Sequence, residues 1–163
     1  PEELAACMNE AARFDRKLIV EKGLDARELE ISVLGNDEPI ASVAGEIVPC
    51  NEFYDYDAKY VDDRSELLIP ADIPAETLAE MQRIAIAAFR ALDLAGMARV
   101  DFFLERGTNR LYVNEVNTIP GFTSISMYPL LWGASGMPIE ELVDRLVGLA
   151  VERHDEKRRR PVG

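Results

Sequence analysis

The sequence predicts an α+β domain in which an antiparallel sheet packs against helices. Three observations carry that prediction. Segments alternating apolar and charged residues come in pairs around short polar turns, 28–37 with 39–49 and 98–105 with 111–117. Residues 74–92 and 138–153 instead repeat apolar residues at the spacing of a helix with one buried face. The chain, 163 residues of which 48% are hydrophobic, is long enough to bury one good core.

In chain order, Glu2 to Phe14 has helical composition and a stripe of Leu4, Met8 and Ala11 or Ala12, but no capping residue opens it. KLIVEKGL at 17–24 reads as a short apolar strand. In ELEISVLGND at 28–37, Leu29, Ile31 and Val33 alternate with Glu28, Glu30 and Ser32 before a Gly-Asn-Asp turn, and PIASVAGEIVP at 39–49 returns as its hairpin partner. Residues 51–66 carry Phe53, Tyr54, Tyr56 and Tyr60 among charges without a period of 2 or 3.6, which predicts a long ordered loop. Pro74 suits a first helical turn, and Leu78, Met81, Ala85, Ala88 or Phe89, and Leu92 form a stripe that Gly96 stops. ARVDFFLE at 98–105 and LYVNEVN then form a second hairpin. The last helix, 138–153, directs Ile139, Leu142, Val143, Leu146 and Leu149 or Ala150 inward. No internal repeat or low-complexity segment interrupts this order.

A formal charge of −12 disfavours broad attachment to nucleic acid or anionic lipid. The basic run Lys157 to Arg160 has no interleaved aromatics and reads as a solvated helix end or tail. No apolar run reaches the roughly 20 residues that span a bilayer, and Pro1-Glu2-Glu3 does not begin a signal peptide, so a cytoplasmic location is expected. Cys7 and Cys50 lack metal or redox spacing, and His154 is the only histidine, which argues against zinc and histidine-triad chemistry.

The second hairpin is the richest in chemistry. Arg99 and Asp101 share one strand face, as do Glu115 and Asn117. With residues 106–110 as the loop, Asp101 falls opposite Glu115 and Arg99 opposite Asn117, while Val100, Phe102, Leu104, Tyr112 and Val116 cover the buried face. Two facing carboxylates repel unless a proton or cation lies between them, and magnesium suits hard oxygen donors with positions left for water and phosphate. A surface pair neutralised by Arg99 is the plainer alternative.

Beyond Asn117 the chain reads TIPGFTSIS. Gly121 permits a positive φ, so its N–H and the hydroxyls of Thr123, Ser124 and Ser126 can face a carboxylate or oxyanion, although the same residues also make an ordinary turn. Backbone groups at Glu21 to Leu24 can read an adenine edge while Glu28 accepts from ribose hydroxyls. A charged interstrand loop accounts for them equally. In FYDYDAKY, Lys59 is a lone cation among aromatics, fit to bring charge to a phosphate from a lid.

Together, VEKGLDARE, GEIVPCNEFYDYDAKY, ARVDFFLE and NEVNTIPGFTSISMYPLLW resemble the C-terminal part of the D-alanine–D-alanine ligases of the ATP-grasp superfamily, in order and spacing over nearly the whole chain. The resemblance implies ligation of two D-alanines through an acyl phosphate, with ATP as co-substrate, in the synthesis of peptidoglycan precursors for the cell wall. It implies that Asp101, Glu115 and Asn117 hold two magnesium or manganese ions. Glu21, Lys22, Leu24, Glu28, Lys59, Asn114 and Glu115 would bind ATP. Arg99 and the Gly121 N–H would stabilise the oxyanion, and Ser126, helped by Lys59, would bind the second D-alanine. Tyr60 would close over the D-alanine pocket, and AKY favours the dipeptide over D-alanyl-D-lactate.

By the same resemblance, residues 1–16 end a central subdomain, 17–156 form the C-terminal catalytic subdomain with a lid at about 51–66, and 157–163 are a polar tail. An N-terminal domain, central lysines and a phosphate-covering loop are implied for the complete enzyme, a homodimer, and none is matched in these residues. The chain by itself is therefore expected to form no dipeptide. Another ATP-grasp carboxylate–amine ligase, or a non-catalytic cation-binding module, are the competing readings.

Overall fold

The computed structural model describes residues 2–48 and 66–159. The expectations for Cys50 and for the loop that carries Phe53, Tyr54, Tyr56, Lys59 and Tyr60 lie outside the described residues. The described elements are α1 (Glu2–Ala11), β1 (Ala26–Gly35), β2 (Ile40–Val48), β3 (Glu66–Leu68), α2 (Ala75–Ala91), β4 (Gly96–Glu105), β5 (Leu111–Asn117), α3 (Met127–Ala134) and α4 (Ile139–Arg159).

The strands form one sheet in the order β3-β2-β1-β4-β5, with every neighbouring pair antiparallel. Both predicted hairpins are present, and β1 and β4 pair along their whole lengths from Ala26↔Glu105 to Gly35↔Gly96. The register sends Leu29, Ile31, Val33, Val100 and Phe102 to one face, where Met81, Ala85 and Phe89 of α2 complete the main core. Phe89, not Ala88, is the buried residue of that helical turn, and Leu92 is 56% exposed because the helix ends at Ala91.

Among the described residues, the opposite face is covered at one end only. There Leu34 meets Tyr128 and Trp132 of α3 and Leu142 of α4, with Met97, Leu146 and Leu149 around them. Tyr128 ties α3 to β1 twice: its hydroxyl donates to the Val33 carbonyl at 3.0 Å, and its own carbonyl accepts from Ser32 Oγ at 3.2 Å. Close approach of α3 to β2 requires Gly45, where an added Cβ would lie 2.6 Å from Met127 Cε and 2.9 Å from Leu131 Cδ2.

Several expectations are corrected. Residues 17–24 form no strand; no described neighbour offers them a backbone edge, and Ile19 and Val20 are exposed. In α4, Leu142 is buried whereas Ile139 and Val143 are exposed, so the buried stripe is narrower than predicted. The helix also extends to Arg159, through most of the basic run. Two elements escaped the sequence reading: β3 is only three residues long, and α3 is short, with Pro129 in its first turn, where proline leaves no helical hydrogen bond unmade. In α1, Leu4 and Met8 remain exposed, so its stripe meets no partner among the described residues. No described helix is long and apolar enough to cross a membrane.

Candidate functional site

On the face shared with α3 and α4, but beyond them along the strands, the sheet turns polar. Glu30 on β1, Asp101 on β4 and Glu115 on β5 stand in one row, since Glu30 pairs with Asp101 and Asp101 with Glu115. Arg99 and Asn117 pair in the next row as predicted, although nearer the loop the register is shifted by one residue, with Leu104 facing Leu111. Glu30 and Asp101 are buried, and Arg99 is the cation between them.

Its Nε lies 2.8 Å from Asp101 Oδ1 and 3.0 Å from Glu30 Oε2, and its Nη2 donates to Asp101 Oδ2 at 2.9 Å. Asn117 Nδ2 donates to Asp101 Oδ2 and to Glu115 Oε1, both at 3.1 Å. Burial disfavours the guanidinium's charge, yet the hydrogen bond to Asp101 and the charges of Glu30, Asp101 and Glu115 outweigh it and raise the Arg99 pKa. Burial pushes the Asp101 carboxyl up, helped by the charge of Glu115 and opposed by Arg99.

This donor set fits a hard divalent cation. Two facing carboxylates and an amide converge within hydrogen-bond reach of one another, and one guanidinium does not balance the three carboxylates of the row. The Asn117 amide offers its oxygen to a cation by a half-turn of its terminal group. Among the described residues, no three His, Cys, Asp or Glu side chains converge tightly enough to enclose a metal alone, so the amide is needed to complete the set.

A cavity of about 440 Å³ opens beside this row, lined by Glu21, Lys22, Gly23, Leu24, Phe103, Tyr112, Val113 and Asn114. The structure thus brings Glu21, Lys22 and Leu24 together with Asn114, and Glu28 stands across from Phe103 at the cavity's edge. One irregularity in β5 arranges this wall. Asp101 pairs with Glu115 but Phe102 pairs with Val113, so Asn114 is an extra, bulged residue. The bulge reverses the alternation, and Tyr112, predicted on the buried face, instead joins Phe103 on the site face. Lys22 Nζ and the Arg110 guanidinium lie 6.0 and 5.1 Å from the Tyr112 ring centroid, and Lys22 also pairs with Glu105 Oε1 at 3.5 Å.

The turn after β5 is built on close approach. Gly121 is absent from the positive-φ glycines, contrary to expectation; an added Cβ there would stand 2.9 Å from Ser126 Oγ, so the requirement is space. Ser126 Oγ accepts the Thr123 N–H at 3.0 Å and lies 2.8 Å from Thr123 Oγ1. It occupies the N-cap position of α3 without capping the helix, its side chain turned back into the loop.

Comparison with known proteins bears on the whole arrangement. The family profile described as D-ala D-ala ligase C-terminus matches residues 1–148. The chain belongs to that family. A D-alanine–D-alanine ligase of Thermoanaerobacter sp. strain X514 is 61% identical over 157 residues, 96% of this chain and 44% of the relative. The solved D-alanine–D-alanine ligase of Coxiella burnetii superposes with a TM-score of 0.83 at 41% identity, over 96% of this chain and 41% of that one. The D-Ala:D-Ser ligase VanG of Enterococcus faecalis gives 0.80 at 38% identity, over 91% and 43%. The chain therefore spans less than half the length of each of these three relatives.

Within this D-Ala–D-Ala ligase domain, sequence reasoning missed three members of the site neighbourhood. Alternation with Leu29 and Ile31 puts Glu30 on the polar face of its strand, and that is the one signal in the sequence that links it to the site. Tyr112 is predicted on the buried face, and only the bulge brings it beside Phe103 at the cavity.

Proposed function

We propose that the complete protein joins two D-alanine molecules at the expense of ATP, through an acyl phosphate, to give D-alanyl-D-alanine for peptidoglycan synthesis. The observation that carries this reading is the adjacency of the Asp101–Glu115–Asn117 donor set to a cavity lined by Glu21, Lys22 and Leu24.

In this reading a carboxylate oxygen of the first D-alanine attacks the γ-phosphorus and ADP leaves. The amine of the second D-alanine then attacks the acyl carbon, loses a proton, and phosphate departs. Glu21, Lys22 and Leu24 bind the adenine, and Glu28 accepts from the ribose hydroxyls. Asp101, Glu115 and Asn117 would hold two magnesium or manganese ions, which when bound offset the negative charge of the transferring phosphoryl group. Lys59 contributes charge to the same phosphates and Tyr60 closes the substrate pocket. Arg99 and the Gly121 N–H face the oxyanion that forms as the amine attacks, and Ser126 receives the carboxylate of the second D-alanine. Residues 1–16 belong to a central subdomain in this scheme, and full activity requires parts of the enzyme beyond this domain. A homodimer and a cytoplasmic location accompany the same reading.

A second reading, ligation of D-alanine to another D-amino acid, is favoured by the likeness to the D-Ala:D-Ser ligase. ADP release by the complete protein, measured with D-alanine alone and with D-alanine plus D-serine, D-lactate or L-alanine, separates the two. Release with D-alanine alone and a dipeptide product supports the first; dependence on D-serine supports the second, and release with neither refutes both.

A further inference from the structure

We propose that Glu30 is a positioning residue that keeps Arg99 in place when a cation takes Asp101. The inference rests on the metal reading of the Asp101–Glu115–Asn117 set and assigns a role to a residue outside it.

Asp101 is oversubscribed. Its two oxygens accept from Arg99 at 2.8 and 2.9 Å, and Oδ2 accepts from Asn117 as well. A cation bound to Asp101 and Glu115 draws on the same lone pairs, because Asp101 and Glu115 face each other in register. Arg99 then loses part of its anchorage, and a guanidinium whose side chain is only 19% exposed is costly to leave without a partner.

Glu30 is placed to prevent that. Its backbone pairs with Asp101 on the neighbouring strand, it is 4% exposed, and its Oε2 already lies 3.0 Å from Arg99 Nε. When Asp101 turns to the cation, Arg99 can stay where it is and remain charge-paired through Glu30. Without Glu30, cation and arginine compete for one carboxylate. Glu30 thus makes Asp101 available to a cation while holding the guanidinium aimed at the reaction. The alternative is that Glu30 adds only its negative charge to the local field, which would attract a cation whatever Arg99 does.

A double-mutant cycle on the complete protein separates the two, reading the Mn2+ dissociation constant by electron paramagnetic resonance without nucleotide. Only the bound signal abolished by Glu115→Gln is counted. Glu30→Gln is expected to weaken Mn2+ binding about tenfold when Arg99 is present and less than about threefold in an Arg99→Met background, since the Glu30–Arg99 ion pair is at stake only in the first. Glu30→Asp keeps the charge but shortens its reach, so it should also weaken binding, and it answers the question if Glu30→Gln does not fold. Equal losses in both backgrounds, or unchanged affinity in Glu30→Asp, would overturn the positioning role while leaving the metal reading intact. Absence of any Glu115-dependent Mn2+ signal would overturn both.

Discussion

Asp101 and Glu115 face each other across β4 and β5, and the amide of Asn117 bonds both carboxylates at 3.1 Å. This places like charges side by side, the Asp101 carboxylate buried and that of Glu115 exposed, an arrangement that a compensating cation stabilises. Replacing Glu115 by Gln in the complete protein removes one charged donor and keeps its size. Metal affinity and ligation are expected to fall by at least about 10- to 100-fold, as changes even to groups behind metal ligands do. Circular dichroism and thermal melting should show the fold retained; lost stability with unchanged turnover would instead favour a structural cation.

Gly121 and Ser126 make a second paired prediction. A Cβ at position 121 would stand 2.9 Å from Ser126 Oγ, so Gly121→Ala should displace the hydroxyl that anchors the turn. On the proposed reaction, a displacement of this kind is expected to cost up to about 100-fold in kcat/KM for the second D-alanine. ATP binding should change little. Steady-state kinetics with each substrate varied in turn tests it, and an equal loss for both substrates would argue against a local effect.

Glu105 supports a prediction in pH. The hydroxyl of Thr108 donates to it at 2.7 Å, and with Lys22 and Tyr112 this holds its carboxyl below the ordinary glutamate value of 4.5. Because the charged form is favoured, the linkage between Glu105 and Lys22 is present above 4.5 and is lost as the pH falls through the depressed value. Carbon-13 NMR should find Glu105 titrating below 4.5, and Thr108→Val should move it upward. An unmoved midpoint in that variant would show that the hydroxyl is not the main cause.

The contact between α3 and the sheet predicts a stability change. Gly45→Val should push Met127 and Leu131 off β2 and cost roughly 1–3 kcal/mol, the usual range for overpacking. Urea denaturation at constant slope measures it. A loss of less than a few tenths would mean that both side chains swing aside freely.

Much of this architecture was legible in one dimension because periodicity is a local property. Alternation placed Leu29, Ile31 and Val33 on one face of β1, and it put Arg99 with Asp101 on one face of β4 and Glu115 with Asn117 on one face of β5. These outcomes follow from the two-residue repeat of a strand, and no distant contact is needed to foresee them.

Tertiary structure decided what periodicity leaves open. The bulge at Asn114 turned Tyr112 to the site face, because one extra residue on an edge strand reverses the alternation without changing composition. Residues 17–24 have strand-like apolar character yet form no strand, since a strand exists only where a neighbour accepts its hydrogen bonds. The sequence suggests torsional freedom at Gly121, whereas the fold needs its missing side chain for space against Ser126, a contact invisible in the sequence. Glu30 stood in plain sight as an alternating strand residue, but its value depends on Arg99 of β4 reaching it at 3.0 Å. The sequence alone therefore determined which residues each strand presents together. Only the packed sheet decided which of those faces a helix would cover, and so where carboxylates and cavity remain side by side.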